Sequence, residues 1–300
     1  MKDKKIKKDK KAKKVKRPLR TRFDWINRFR HWYLGGVSVK HSVFRVKGAL
    51  QTLLVLLIII SIGYAMAAFY TKSGEFVISI DKGMATDGFV LSETTDFSEK
   101  LITLNGDVVV GATNISIYDI QRDVMNVDGK HNGINYLAYT FYLKNETGEV
   151  RDYQYQLHLK RATKGTEYAS WIMLYHNNVQ NIYAMPNKDG NPERIFSGSP
   201  FPFMEYAGEL VKETKLTKDN PGYMSQDRLN YFGIESAEGM YQLEAVPFLS
   251  SDVVCAGTRK GIKDEEYDKF TVVIWMEGED PECVDDIIGG NLEFSMSFSY

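Results

Sequence analysis

The sequence predicts a mainly β protein: an antiparallel β-sandwich of jelly-roll or immunoglobulin-like kind, preceded by a single transmembrane helix. Three observations carry that expectation. Charge is partitioned: residues 1–47 hold 18 Lys/Arg against 3 Asp/Glu, while the rest of the chain holds 20 against 36. Between the two parts, residues 48–70 run for 23 positions without a charge. Beyond them, short segments rich in aromatic and branched residues alternate at period two, the pattern of half-buried strands.

Taken in order, residues 1–20 are a lysine-rich, low-complexity stretch. It repels itself and offers too little apolar surface to offset chain entropy, so it reads as a disordered cytoplasmic tail. Such a tail sets topology and gains about 1 kcal/mol per charge near anionic lipid. Nucleic acid is not expected as a partner, because no base-reading fold accompanies the charge.

Residues 21–47 are expected to be an amphipathic juxtamembrane segment, opening within "RTRFDWINRFRHWYLGG", residues 20–36. Phe23, Ile26, Phe29 and Tyr33 recur at helical spacing, Trp25 and Trp32 widen the apolar side, and arginines lie between them. This predicts a juxtamembrane helix lying in the lipid interface and stopped at Gly35-Gly36. A docking helix for a cytoplasmic or membrane partner is the alternative.

The uncharged 48–70 segment exceeds the roughly 20 residues needed to cross a bilayer as a helix. Lys and Arg crowd its N-terminal flank, which places that flank in the cytoplasm and the C-terminal part outside. Ala65-Met66-Ala67 has the small-x-small form of a signal-peptidase site, at Ala65 and Ala67. The length of the apolar run and of the segment before it favours a retained signal-anchor. Cleavage near Ala67 is the alternative.

Residues 74–300 suit one β-sandwich domain. "EFVISI" places Phe76, Ile78 and Ile80 on one face, and "NISIYDI" is read as a strand around Ile115 and Ile117. "NYLAYTFYLKN" and "RDYQYQLHLK" are expected to form a hairpin, the second strand turning Tyr153, Tyr155, Leu157 and Leu159 to one side. "SWIMLYHN", "QNIYAMP", "MYQLEAVPF", "DKFTVVIWMEG" and "NLEFSMSFSY" supply further strands. Alternation implies one wet and one buried face per sheet. Residues 205–218 are expected to be a short helix. Cys255 and Cys283, an even count on the exported side, are expected to form a disulfide. Closing a loop of about 28 residues, it would contribute about 3–4 kcal/mol.

The segment Gly63-Tyr64-Ala65-Met66-Ala67-Ala68-Phe69, followed directly by strands, resembles secreted proteins of the camelysin/TasA type. Those are surface and biofilm-matrix proteins of Gram-positive bacteria. The run from Val273 through Trp275 to Cys283, then Ile288-Gly289-Gly290 and an alternating strand, is similar to the ends of that class. It also resembles uncharacterised surface proteins of clostridia-like bacteria. The long basic N-terminal extension departs from the pattern and bears on whether the chain is released. The resemblance implies an extracellular structural role, and for some members a metallopeptidase activity.

Chemistry is sparsely signalled. No His-Glu-x-x-His, nucleophile elbow, phosphate-cradling glycine loop or zinc-cysteine cluster occurs, so no catalytic residue and no cofactor is assigned. His131, His158 and His176 are the exported histidines, too few for a zinc site. "EGEDPECVDD" concentrates carboxylates, making Glu277, Glu279, Asp280, Asp285 and Asp286 candidate Ca²⁺ ligands. "DVMNVDGKHNG" is a second acidic loop. Trp171, Tyr175, Tyr183 and Trp275 are read as core. The expectation is a membrane-anchored cell-surface structural or adhesive protein that contacts lipid and engages itself or envelope partners. The alternatives are a surface hydrolase of metal-dependent, peptidase-like kind and an accessory subunit of a cell-envelope complex.

Overall fold

The computed structural model describes residues 52–64 and 76–300. The expectations for 1–20, for Phe23 to Tyr33, and for Ala65 and Ala67 lie outside these residues. The chain divides into two units, Met1–Ala68 and Phe69–Tyr300. In the first, residues 52–64 form a helix whose side chains are all exposed. Ser61 returns its hydroxyl to the Leu57 carbonyl at 2.6 Å. Among the described residues no helix is long and apolar enough to cross a membrane; the expected 48–70 span is described only over these thirteen positions.

The second unit is mainly β and is built from three sheets. The five-stranded sheet runs β13 (Val253–Ile262), β6 (Arg151–Ala162), β15 (Leu292–Ser299), β1 (Phe76–Ile80), β3 (Thr103–Asn105). A larger sheet runs β12 (Val246–Pro247), β8 (Val179–Ala184), β7 (Ser170–His176), β14 (Tyr267–Met276), β5 (Tyr136–Asn145), β2 (Phe89–Ser92), with β4 (Gly129–Lys130) also on β5. The third is small: β10 (Lys212–Lys215), β11 (Tyr241–Glu244), β9 (Arg194–Ser197).

Period-two alternation holds on β1, β6 and β15. On β1 Phe76, Ile78 and Ile80 are buried, and on β15 Phe294, Met296 and Phe298 are, with less buried residues between. Tyr153, Leu157 and Leu159 of β6 turn inward beside half-buried Tyr155. These side chains meet Leu137, Tyr139, Phe141 and Leu143 of β5 and Phe270, Val272 and Ile274 of β14 in one core shared by the two larger sheets. That packing is consistent with a β-sandwich.

Four expectations need correction. First, the larger sheet has no wet face over its centre. Ala138, Trp171, Met173, Tyr175, Val273 and Trp275 face away from the shared core into a second one, capped by the small sheet and the 115–125 loop. A strand buried on both sides shows a continuous apolar run, as "SWIMLY" and "FTVVIW" do. Thr140 and Thr271, both fully buried there, satisfy each other across the ladder at 2.8 Å. Second, β5 and β6 form no hairpin. β5 pairs with β14 and β2, while β6 pairs with β13 and β15. The turn between them carries the chain from a doubly buried strand to a singly buried one. Third, the sheets are not wholly antiparallel: β1 runs parallel to β15 and β12 parallel to β8.

Fourth, three local assignments move. "NISIYDI" holds an isolated bridge from Ile115 to Glu277 and a 3-10 turn, Ile117–Asp119, closed by a Ser116/Asp119 capping box that holds the backbone out of strand geometry. Residues 205–218 contribute a 3-10 turn, Met204–Tyr206, and strand β10 rather than a helix. The helix falls at Gln226–Phe232, N-capped by Ser225 and ended by Gly233 in the left-handed region. "MYQLEAVPF" divides between two sheets at Ala245, one part in β11 and the other in β12.

The two cysteines are free. Cys255 is buried in the core shared by the larger sheets. Cys283 lies beside Asp280, Glu277 and Asn114, near the second core, where Trp171 and Trp275 sit. The larger sheet separates the two environments, which accounts for the missing bridge. Burial pushes the Cys255 thiol up to about 12.

A polar staple joins the two larger sheets. Asp268 of β14 is buried and accepts from Tyr153 Oη at 2.5 Å, Asn177 Nδ2 at 3.0 Å and Arg259 Nε at 3.2 Å, with His176 Nε2 at 3.5 Å. Tyr153 and Arg259 come from the five-stranded sheet. Burial pushes the Asp268 carboxyl up, but hydrogen bonds from His176, Tyr153 and Asn177 outweigh it and hold it at about 2.

Candidate functional site

Strand β14 leaves the larger sheet at Met276 and enters the acidic loop directly. Its first carboxylate, Glu277, is fully buried and fully engaged. Oε2 accepts from Trp275 Nε1 at 2.9 Å and from the Ile117 amide at 3.0 Å, and Oε1 accepts from the Glu279 amide at 3.1 Å. Burial nonetheless raises its carboxyl to about 7. Three donors and a bridge to Ile115 make Glu277 the post that fixes the loop's course.

Asp280 comes next, 4% exposed. Trp171 of β7 donates its indole N–H to Oδ2 at 2.7 Å, and the Glu282 amide donates to Oδ1 at 2.9 Å. Its carboxyl is raised, by burial first and then by Glu282, against the lowering effect of the Trp171 bond. The two buried indoles, with centroids 6.3 Å apart, thus each hold one carboxylate of the loop.

Glu193, immediately before β9, is brought to the same place from a remote part of the chain. It too is 4% exposed. Carboxylate oxygens of Glu193, Asp280 and Glu282 lie within 4.8 Å of one another. Glu193 Oε1 and Glu282 Oε2 are buried and accept no hydrogen bond. Burial, then Asp280 and Glu282, push the Glu193 carboxyl up to about 8. Arg228, on the helix Gln226–Phe232, is the nearby cation. Its Nη2 is spent on Glu279 at 3.3 Å, its Nε has no partner, and its guanidinium lies over the Phe196 and Phe232 rings.

Of the candidate Ca²⁺ ligands, the structure therefore brings in Asp280 alone. Glu277 is occupied by three donors, Glu279 pairs with Arg228, and Asp285 and Asp286 are exposed on a separate 3-10 turn, Asp285–Ile287. Glu282 belongs to the same loop. Glu193 had no sequence signal beyond a carboxylate after Pro192 in a polar loop. The second acidic loop forms no cluster: Asp128 accepts from Tyr142, and His131 is held between the Gly129 and Val124 carbonyls. His158 contacts Ser297, whereas His176 stacks on Phe270 in the other sheet, so the two do not form a pair. Trp171, Tyr175, Tyr183 and Trp275 are core residues, as read.

A groove of about 320 Å³ is lined by Ser116 and Tyr118, by β9 of the small sheet and by Glu279. Tyr118 lines it, stacked on Phe201 and hydrogen-bonded to Ser197 Oγ at 2.8 Å. Phe232 and Met240 complete the apolar wall.

The fold and the site define a three-sheet β protein with a buried carboxylate cluster where a small sheet meets a larger one. Compared with family models, curated proteins and solved structures, the chain shows no match.

Proposed function

We propose that this chain is a single-pass membrane protein, N-terminus inside, that displays residues 74–300 on the cell surface as a β-sandwich interaction module of structural or adhesive kind. The observation that carries it is the charge partition across the uncharged 48–70 segment: basic before, acidic after. The helix over 52–64 supports it. Leu53 to Ile60 and Ile62 are each about half or more exposed, on every side. A helix apolar all round belongs in lipid or in a protein core. Ser61, hydrogen-bonded to its own backbone, removes a polar group from that surface. The resemblance to camelysin/TasA-type matrix proteins points the same way.

Strand addition is a poor route to self-association at the edges of the five-stranded sheet. The edge strand β13 carries two register breaks and presents Arg259 and Lys260, and the opposite edge, β3, is three residues long. Both are devices that blunt an edge. Partner contacts are assigned instead to loops and side-chain faces. The hydrolase reading rests on the carboxylate cluster; the deep burial of Glu193 and Asp280 favours a structural role for it over a catalytic one.

Protease shaving of intact cells tests the placement. Peptides from 76–300 should be released while the lysine-rich tail stays protected. Protection of the β unit on intact cells, or its recovery with cytosol, refutes the proposal.

A further inference from the structure

Three carboxylates from two separated stretches of chain converge in the cluster, and two of them are almost wholly buried. Mutual repulsion in a low-dielectric setting is expensive unless a proton or another positive charge answers it. Arg228 answers it only in part: its charge is felt at Glu193, but its Nη2 is committed to Glu279. Glu193 Oε1 is buried without a hydrogen bond, as is Glu282 Oε2. Asp280, by contrast, is held rigidly by Trp171 and by the Glu282 amide, leaving a lone pair on each oxygen. One pre-oriented carboxylate flanked by two that each keep a buried oxygen without a partner is the arrangement of an oxygen-donor cation site.

We propose that Glu193, Asp280 and Glu282 bind a hard divalent cation of calcium's kind, and that the ion fastens the loop after β14 to the start of β9. Size agrees with this. Oxygens at opposite poles of a calcium ion stand about 4.8 Å apart, twice a Ca–O distance of about 2.4 Å. The three ligand atoms lie within 4.8 Å of one another. All three donors are carboxylates, which suit calcium or manganese and disfavour soft metals. Magnesium, which keeps several waters, fits a site this buried less well. The consequence is mechanical: Glu193 leads into the small sheet and Asp280 hangs from β7 through Trp171, so the ion clips one sheet to the other. The inference does not depend on the membrane placement.

Terbium luminescence tests it on the full-length chain, purified in detergent and stripped with chelator. Trp171 touches a ligand and Trp275 lies beside it, so terbium in the cluster is sensitised through the indoles. Expected is saturable emission at one equivalent, displaced by calcium and poorly by magnesium. Glu193→Gln and Glu282→Gln keep side-chain shape, and each should weaken terbium binding about tenfold or more. Absence of sensitised emission overturns the proposal, as does emission equal in both variants and the parent, which would place the ion on exposed Asp285 and Asp286. Zinc binding that depends on Cys283, with no calcium competition, also overturns it. Should either variant fail to fold, hydrogen exchange on the parent decides: calcium must slow exchange in β9 and residues 277–284, and no slowing refutes the site.

Discussion

Asp268 allows a pH prediction with a definite sign and size. Its folded carboxyl is held at about 2, against an ordinary value of 3.8. A depressed acid stabilises the fold fully above the unfolded value and loses that contribution as pH falls toward the folded one. The window is therefore from 3.8 down to about 2. At about 1.4 kcal/mol per unit, the gap corresponds to about 2 kcal/mol. Asp268→Asn should remove this increment. It should also leave Arg259 short of one carboxylate, although Glu266 still holds Nη2 at 2.9 Å. Urea unfolding of the chain at a series of pH values, followed by near-ultraviolet circular dichroism, measures both effects. The parent should lose about 2 kcal/mol more than the variant between the top and bottom of the window, while above it the variant is the less stable of the two. Parallel pH profiles for parent and variant would refute the reasoning, because they would show that the network around Tyr153, Asn177 and His176 does not distinguish the ionised from the neutral acid.

Three further outcomes follow from the packing. Phe298→Ala, which empties a fully buried position in contact with Phe141, Tyr153 and Phe270, should cost about 3–5 kcal/mol in denaturant unfolding. Trp171→Phe removes the indole donor to Asp280 and strands a buried acceptor, for a loss of about 1–3 kcal/mol by the same measurement. Thiol titration should find two free cysteines in denaturant; in the native protein Cys255 should stay unreactive, being buried with its thiol raised to about 12, and a mass consistent with a disulfide would contradict this.

How much of this was legible depends on which pattern a residue belongs to. Phe294, Met296 and Phe298 declare a one-sided strand because the residues flanking them, Glu293, Ser295, Ser297 and Ser299, are polar and less buried. The runs around Ile172 and Val272 lack that alternation, and the lack is itself the signature of burial on both faces; reading them as one-sided strands hid the third layer. Turn sequence gave no hint that Glu146 to Val150 leads into another sheet, since hairpin and crossover turns draw on the same residues. Of the carboxylate cluster, Asp280 and Glu282 were visible as local acid density. Glu193 was not, because its proximity arises only when β9 is laid over the larger sheet. Asn145 gives the opposite lesson: its Asn-Glu-Thr sequence matches a glycosylation site, yet the side chain is buried, donating to the Glu149 and Ile262 carbonyls.

The pairing of Phe76 with Phe294 has a bearing on when the molecule acquires its shape. β15 lies between β1 and β6, so the five-stranded sheet has a gap at its centre until almost all of the β unit has been synthesised. Until then β1 has only three-residue β3 as a paired neighbour in the sheet. Contacts this distant along the chain make for slow assembly. The five-stranded sheet therefore closes only when Leu292–Ser299 is laid between β1 and β6.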